Sequence, residues 1–156
     1  MKTNIANLNE PRLNYRKVSP TVLQALWGVE KAVNESGLES SLQELVKLRA
    51  SQLNGCAFCI DMHYRDALKA GEAEQRLFLL NAWEEAPVYT PRERAALRWT
   101  EALTKLAGNS VSEELYEAVR AEFSETELVS LTLAVVAINS WNRFSVGFRV
   151  PPGFTL

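Results

Sequence analysis

The stretch Asn54 to His63, which reads NGCAFCIDMH, contains both cysteines and the only histidine of this 156-residue chain. If a helix begins near Cys56, then Cys59 follows three residues later and His63 four residues after that. Residues at these spacings share one face of a helix. A close pair of thiols beside an imidazole can exchange electrons and protons near neutral pH. The stretch therefore predicts a redox site on a helix.

Two physical arguments disagree about which of the two thiols is activated. The start of a helix carries partial positive charge and free N–H groups, which favour a thiolate at Cys56. An imidazole one turn away favours Cys59 instead, because His63 can accept the proton of its thiol. The residue chemistry gives only a slight preference for Cys59 and leaves the choice open.

Glu44 is a candidate partner for this histidine. If the helices on either side of Asn54 and Gly55 form an antiparallel hairpin, Glu44 and His63 lie at similar distances from the turn and could meet. A carboxylate on one ring nitrogen fixes the tautomer and makes the other nitrogen more basic. The spacing from Ser41 to Glu44 also fits a capping box at a helix start, so this second role stays open.

The rest of the chain predicts an all-α fold. Proline, glycine and capping residues mark the ends of helices, and no strand-like alternation of apolar residues is present. Capping boxes are predicted at Thr90–Glu93, Ser110–Glu113 and Ser124–Glu127, and Ser41–Glu44 has the same spacing. The predicted helices cover 20–34, 41–54, 55–70, 72–84 and 91–107, followed by one from 111 and one from 125.

The last predicted helix is apolar on most sides between residues 128 and 144. A helix that is apolar all round is buried, and in a chain this small such burial indicates a subunit interface as well as a core. Asn139 and Asn142 interrupt the apolar surface. Because buried amides need hydrogen-bond partners, we expect these two residues to bond near the site or across subunits.

The composition is that of an ordinary globular protein, with 47% hydrophobic and 23% charged residues. We expect a single domain over 1–156, with an extension and first helix in 1–37 and a helical core in 41–148. A net charge of -2 without a basic cluster argues against nucleic-acid binding. The longest apolar run, 133–138, is too short to span a membrane, so we expect no membrane partner.

No stretch near the N-terminus has the apolar length of a signal peptide, and we therefore expect a cytoplasmic protein. In that reducing compartment, a close pair of cysteines is more often catalytic or metal-binding than a structural disulfide. The location thus supports a chemical role for the two thiols.

A family resemblance rests on the same residues. The pattern of Glu44, then Asn54, Cys56, Cys59 and His63, resembles the alkylhydroperoxidase AhpD family, within the carboxymuconolactone decarboxylase superfamily. Residues from about 41 to 144 look like its all-helical core, including the apolar final helix. The resemblance implies an AhpD-like helical bundle and an obligate homo-oligomer, either a trimer or a hexamer built from trimers.

The resemblance also implies a thiol peroxidase that needs no cofactor. In the family, the residue matching Cys59 attacks a hydroperoxide and becomes a sulfenic acid, and the residue matching Cys56 then forms a disulfide with it. The residues matching His63 and Glu44 relay protons, and an unidentified dithiol reductant restores the thiols. This chain departs from well-characterised AhpD at Phe58, where a second histidine would stand.

Three other interpretations of the cysteine pair are open. The protein could be a thiol–disulfide oxidoreductase or redox sensor without significant peroxidase activity. It could also be a structural homologue with an idle dithiol, since free cysteine often serves as a small core residue. A zinc site would need a fourth ligand beyond Cys56, Cys59 and His63, such as Asp61 or Glu44, and we expect no metal.

Overall fold

The computed structural model describes residues 8–155, and within them the chain is all helical, without a strand. Residues 1–7 of the predicted extension, and residue 156, lie outside this range. In chain order the α-helices are α1 (Tyr15–Val18), α2 (Pro20–Asn34), α3 (Ser40–Leu53), α4 (Ala57–Lys69), α5 (Glu74–Leu79), α6 (Pro91–Thr104), α7 (Glu113–Arg120) and α8 (Glu125–Gly147), with a 3-10 turn at Leu80–Ala82 after α5. No helix in residues 8–155 has the length and hydropathy needed to cross a membrane.

Helix α3 lies at the centre of the bundle and contacts α4, α6 and α8. Its apolar residues form two stripes because 3.6 residues per turn carry neighbours onto different faces. Leu42 and Val46 belong to a core shared with α6, α7 and α8. Leu45 and Leu48 belong to a second core, which contains the fully buried Trp83. The position of α3 therefore fixes where the residues of α4 sit relative to α8.

Two of the predicted capping boxes are confirmed. At the start of α6, Thr90 Oγ1 accepts a hydrogen bond from the Glu93 N–H at 3.2 Å, and Glu93 Oε2 accepts one from the Thr90 N–H at 2.7 Å. Ser124 and Glu127 make the same reciprocal pair at the start of α8. Each box satisfies two N–H groups that a helix leaves without intrahelical partners.

The capping box predicted at Ser41 and Glu44 is wrong. Helix α3 begins at Ser40 with Glu39 in the N-cap position, so Ser41 already lies inside the helix. Glu44 turns its carboxylate toward α4 instead. A glutamate near a helix start can bond either to the backbone of its own helix or to a neighbouring side chain. Glu44 bonds to the imidazole of His63 on α4.

The prediction of a capping box at Ser110 and Glu113 is also wrong. Helix α7 begins two residues later than expected, and Ser112 is its N-cap, accepting a hydrogen bond from the Leu115 N–H at 3.1 Å. The predicted helices 72–84 and 91–107 are shorter in the structure, where they correspond to α5 with its 3-10 turn and to α6. The chain leaves each helix earlier than its apolar pattern indicates.

Helix α8 is buried on one side and exposed on another. Leu131, Ala134 and Ile138 are almost wholly buried against α2, α3 and their neighbours. Val129 and Val136, however, are 70% and 50% exposed on the single chain. The apolar character seen in the sequence therefore exceeds what the core of one chain requires.

The segment before α3 packs across α8. The Arg12 N–H donates to the Phe148 carbonyl at 2.8 Å, and the ring of Tyr15 lies 5.1 Å from that of Phe144 between centroids. In α2, Trp27 contacts Trp141 with centroids 5.2 Å apart. Helices α1 and α2 thereby reach the part of α8 that faces the cysteine pair.

Candidate active site

A tight turn between α3 and α4 positions the cysteine pair. Gly55 has φ 65°, in the left-handed region that glycine occupies without steric cost. The Cys56 N–H then donates to the Ser51 carbonyl at 3.0 Å, which ties the residue after the turn back to the end of α3. As a result, α4 starts immediately beside α3 and the two helices form the expected hairpin.

Cys56 caps α4 rather than lying in its first turn. It is the N-cap residue, and its Sγ accepts a hydrogen bond from the Cys59 N–H at 3.3 Å. Sulfur is a weak acceptor as a thiol, but as a thiolate it becomes an ionised acceptor facing the positive end of the helix. Both cysteines are free thiols and each is only 1% exposed.

The two thiols share one environment but differ in charge. The hydrogen bond from Cys59 is the main cause that lowers the pKa of Cys56 from 9.0 to about 7, with further help from Ser145 and Asn142 and against the effect of burial. The same hydrogen bond, followed by burial, raises the pKa of Cys59. The pair therefore ionises once near neutral pH, and Cys59 keeps the remaining proton.

This distribution of charge differs from the slight preference for Cys59 drawn from the sequence. The thiolate rests on Cys56 because both the backbone N–H and the thiol of Cys59 donate toward its sulfur. Access differs as well, since Cys59 lines the cavity described below and Cys56 does not. The charged sulfur and the accessible sulfur are thus two different residues.

The predicted contact between Glu44 and His63 is confirmed. Glu44 Oε2 lies 2.9 Å from His63 Nδ1, and both side chains are largely buried. An ionised carboxylate can only accept, so Nδ1 carries the hydrogen of this bond. Nε2 is then the ring nitrogen available for proton transfer. The contact with Glu44 on α3 fixes the tautomer of the His63 ring.

A cavity of about 240 Å³ borders these groups, and we refer to it as the thiol cavity. It is open to Cys59, His63 and Glu44. Its other walls are five large apolar or aromatic side chains and six polar or charged ones: Tyr15, Trp27, Phe58, Met62 and Trp141, and Arg16, Glu30, Asn34, Lys47, Asp66 and Ser145. The accessible thiol and the histidine therefore face a mainly apolar space of small-molecule size.

Lys47 and Glu30 form a buried ion pair in the cavity wall, with side chains 4% and 13% exposed. The pair joins α2 to α3, and its two opposite charges compensate each other at this side of the cavity. A buried charge is tolerated only with such a partner, so the two residues depend on each other.

Helix α8 supplies polar groups behind the dithiol. Asn142, which is 1% exposed, donates from Nδ2 to Ser51 Oγ at 3.0 Å and accepts from Asn54 Nδ2 at 2.8 Å. Ser145 lies one turn further along and helps to lower the pKa of both thiols. The expectation that Asn142 bonds near the site is therefore confirmed. Asn139 also accepts from Asn54, at 3.0 Å.

Sequence reasoning missed Tyr15, Trp27 and Ser145. Tyr15 and Trp27 come from α1 and α2, far upstream of the cysteines, and no local spacing connects them to the site. Trp27, the single aromatic residue of α2, was the available signal in the sequence; in the structure it is half exposed and contacts Trp141. Across residues 8–155, no cluster of three or more His, Cys, Asp and Glu side chains is arranged to hold a metal ion.

The fold and the site define an all-helical protein with a dithiol and a histidine at one helix start. Residues 20–102 match the carboxymuconolactone decarboxylase family. The chain belongs to this family and is an AhpD-like member of its superfamily. The uncharacterised protein YdfG of Bacillus subtilis is 44% identical over 135 residues, which are 86% of this chain and 92% of YdfG.

Two solved structures share the fold. ATU0492 of Agrobacterium tumefaciens, a protein of unknown function with a suggested role as the antioxidant defence protein AhpD, is 45% identical. Its TM-score is 0.90, and the match covers 94% of this chain and 100% of ATU0492. The debrominase Bmp8 has a TM-score of 0.79 over 87% of this chain and 73% of its own. At 16% identity, Bmp8 shows a likeness of fold alone.

Proposed function

We propose that this protein is a thiol peroxidase that reduces organic hydroperoxides. The observation that carries the proposal is that Cys59 and His63 border the same mainly apolar cavity, while a hydrogen bond from Cys59 helps to lower the pKa of Cys56 to about 7. A hydroperoxide in this cavity would meet a nucleophile, a proton carrier and an apolar wall for its organic part. The suggested antioxidant role of ATU0492 is consistent with this chemistry.

The first step is attack on the peroxide. The proton of the Cys59 thiol moves along its hydrogen bond to the Cys56 thiolate, which transfers the negative charge to the accessible sulfur. Cys59 Sγ then attacks the terminal peroxide oxygen and an S–O bond forms while the O–O bond breaks. The sulfur is oxidised by two electrons to a sulfenic acid, and the departing alkoxide takes a proton from His63 Nε2, which holds the proton that the dithiol loses on ionisation. Glu44 holds that ring in place throughout.

The second step forms the disulfide. Cys56 gives its proton to His63, and its sulfur attacks the sulfenic sulfur of Cys59, so an S–S bond forms and the S–O bond breaks. The departing hydroxide takes that proton back from His63 and leaves as water. The three-residue separation and the shared hydrogen bond keep the two sulfurs close enough for this reaction. An external dithiol reductant that can enter the thiol cavity then reduces the disulfide and restores both thiols.

Burial separates this proposal from thiol–disulfide exchange with other proteins. A protein disulfide must approach the attacking sulfur directly, and both sulfurs here are 1% exposed. A hydroperoxide of small-molecule size can instead enter the thiol cavity. The fold also occurs in a debrominase, so the fold by itself does not select the reaction. The residues of the site are what favour peroxide reduction.

We further propose that the chain works as a homo-oligomer, a trimer or a hexamer, in the cytoplasm. The exposed valines Val129 and Val136 on α8 support a subunit contact, since they continue the apolar surface of the core. Light scattering after size exclusion should give a multiple of the 17.5 kDa chain mass, and Val136→Asp should shift it toward the monomer. A monomeric wild-type protein would contradict this assignment.

Thiol counting tests the peroxidase proposal. When reduced protein is mixed with cumene hydroperoxide, we expect rapid loss of two thiols per peroxide consumed. Cys59→Ser should abolish the reaction, whereas Cys56→Ser should stop at a sulfenic acid that dimedone traps on Cys59. If the wild-type rate does not exceed that of free cysteine, the proposal is wrong. Rapid exchange with small disulfides but not with peroxide would instead favour the thiol–disulfide oxidoreductase.

A further inference from the structure

We propose that Tyr15 is a further catalytic residue, whose hydroxyl donates a hydrogen bond to the leaving oxygen of the bound hydroperoxide. This inference rests on the proposed peroxidase function and assigns a role to the helix pair that precedes the core. The reacting bond needs a donor at the oxygen that becomes negative, and Tyr15 supplies one from outside the sequence motif.

The hydroxyl of Tyr15 is buried without a hydrogen-bond partner. Tyr15 is 5% exposed, and within the described part of the chain no group meets hydrogen-bond geometry with its Oη. An unsatisfied buried hydroxyl is costly, and native structures rarely keep one without a reason. Tyr15 also borders the thiol cavity together with Cys59, so a ligand in that cavity is the partner that would satisfy it.

The position of the ring is fixed on several sides. Its centroid lies 5.1 Å from that of Phe144 and 5.6 Å from that of Phe148, both at the end of α8. The Arg12 N–H donates to the Phe148 carbonyl at 2.8 Å, which anchors the chain just before α1. A donor held in this way needs no rearrangement when charge develops beside it, which is the condition for strong electrostatic catalysis.

The hydroxyl also keeps its proton at working pH. Burial, the largest cause, raises the pKa of Tyr15, and a negative Cys59 would raise it further. Arg16 and Ser145, which lie nearby, act in the opposite direction. Tyr15 therefore keeps a hydrogen that it can donate when peroxide binds. Tyr15 and Cys59 also line the same cavity, so a ligand there can contact both residues.

With Tyr15 as a donor, electrons and protons move as in the proposed attack of Cys59 on the peroxide. As the Cys59 sulfur bonds to the terminal oxygen, the electron pair of the O–O bond stays on the oxygen that carries the organic group. The Tyr15 hydroxyl stabilises this growing charge through its hydrogen bond and retains its own proton. Protonated His63 then supplies the proton that converts the alkoxide to an alcohol.

The test compares two oxidants that differ in their leaving groups. tert-Butyl hydroperoxide expels a strongly basic alkoxide, whereas peracetic acid expels a weakly basic acetate that needs little help from a donor. For Tyr15→Phe we expect single-turnover thiol loss to slow about 10- to 100-fold with tert-butyl hydroperoxide and less than about threefold with peracetic acid. Tyr116→Phe, a tyrosine beside Trp99 and outside the thiol cavity, should react like the wild type.

Each outcome bears on one statement only. A wild-type protein that is inert to both oxidants refutes the proposed function. A reactive wild type with an equally reactive Tyr15→Phe variant, or equal losses with both oxidants, refutes the donor role alone. The rate of alkylation by iodoacetamide shows whether the substitution changes the reactivity of the thiols. Phenylalanine keeps the ring contacts of Tyr15, so we expect this rate to stay the same. If alkylation slows as much as the peroxide reaction, Tyr15 acts on the dithiol and the inference is wrong.

Discussion

Replacing Cys59 with alanine should raise the pKa of Cys56. In the wild type, the hydrogen bond from Cys59 is the largest of the causes that bring this pKa from 9.0 down to about 7. Alanine removes the thiol donor but keeps the backbone N–H that reaches Cys56 Sγ. Donors from Ser145 and Asn142 also remain, so part of the lowering should survive.

The size of the effect follows from these contributions. We expect the pKa of Cys56 to rise by about one to two units in the Cys59→Ala variant, because burial then opposes the thiolate with fewer donors against it. At pH 7 the wild-type thiolate population is about one half, and it should fall to between about one tenth and one hundredth. Cys59→Ser, whose hydroxyl can still donate, should lie between the two.

Ultraviolet absorbance of the thiolate measures this population directly during a pH titration. The reduced protein gives the titration curve, and the Cys56→Ala/Cys59→Ala double variant provides the background from other groups. This readout does not require a reagent to reach the buried sulfur. The wild-type midpoint should fall near pH 7 and that of Cys59→Ala above it.

Either of two results would contradict the assignment of the thiolate to Cys56 and its stabilisation by Cys59. If Cys59→Ala titrates at the same pH as the wild type or lower, the hydrogen bond between the thiols is not what stabilises the charge. If Cys56→Ala retains the midpoint near pH 7, the thiolate rests on Cys59 and the assignment of charge is reversed. In either case, the proton shift that precedes attack on the peroxide would have to be abandoned.

Three further predictions concern the surroundings of the site. Glu44→Gln should slow the peroxide reaction at least about tenfold, since the histidine loses its charged partner; Glu74→Gln, at an exposed site, is the control, and equal rates in both would remove Glu44 from the mechanism. Asn142→Leu should lower the free energy of unfolding by about 2 kcal/mol in urea, because it strands buried polar groups, and an unchanged value would show that they re-pair. Lys47→Met should cost about 3–5 kcal/mol by stranding Glu30, and adding Glu30→Gln should recover much of the loss; additive losses would contradict the buried pair.

Features that depend on local spacing could be predicted from the sequence. The shared face of Cys59 and His63 follows from helical geometry, and the meeting of Glu44 with His63 follows from counting outward from the turn. The confirmed capping boxes follow the same logic, because their partners are three residues apart. Each of these required only the immediate neighbourhood in the chain.

Two kinds of feature could not be predicted from the sequence: those that depend on the exact residue at which a helix begins, and those that depend on contacts between distant parts of the chain. The charge rests on Cys56 because the helix starts at the following residue, which makes Cys56 a cap instead of a member of the first turn. Serine and glutamate near a helix start have several possible partners, so Ser41 and Ser110 gave false signals. Tyr15 reaches the cavity through packing on α8, which no local pattern encodes.

The N-cap position of Cys56 connects the oxidation state to the integrity of a helix end. A disulfide sulfur carries no negative charge and accepts hydrogen bonds poorly, so oxidation leaves the Cys59 N–H without its cap. Loss of a cap costs about 1 kcal/mol, enough to loosen a first turn. Amide hydrogens at the start of α4 should consequently exchange faster in the oxidised chain, and a reductant would meet a frayed helix end where the reduced protein has a closed one.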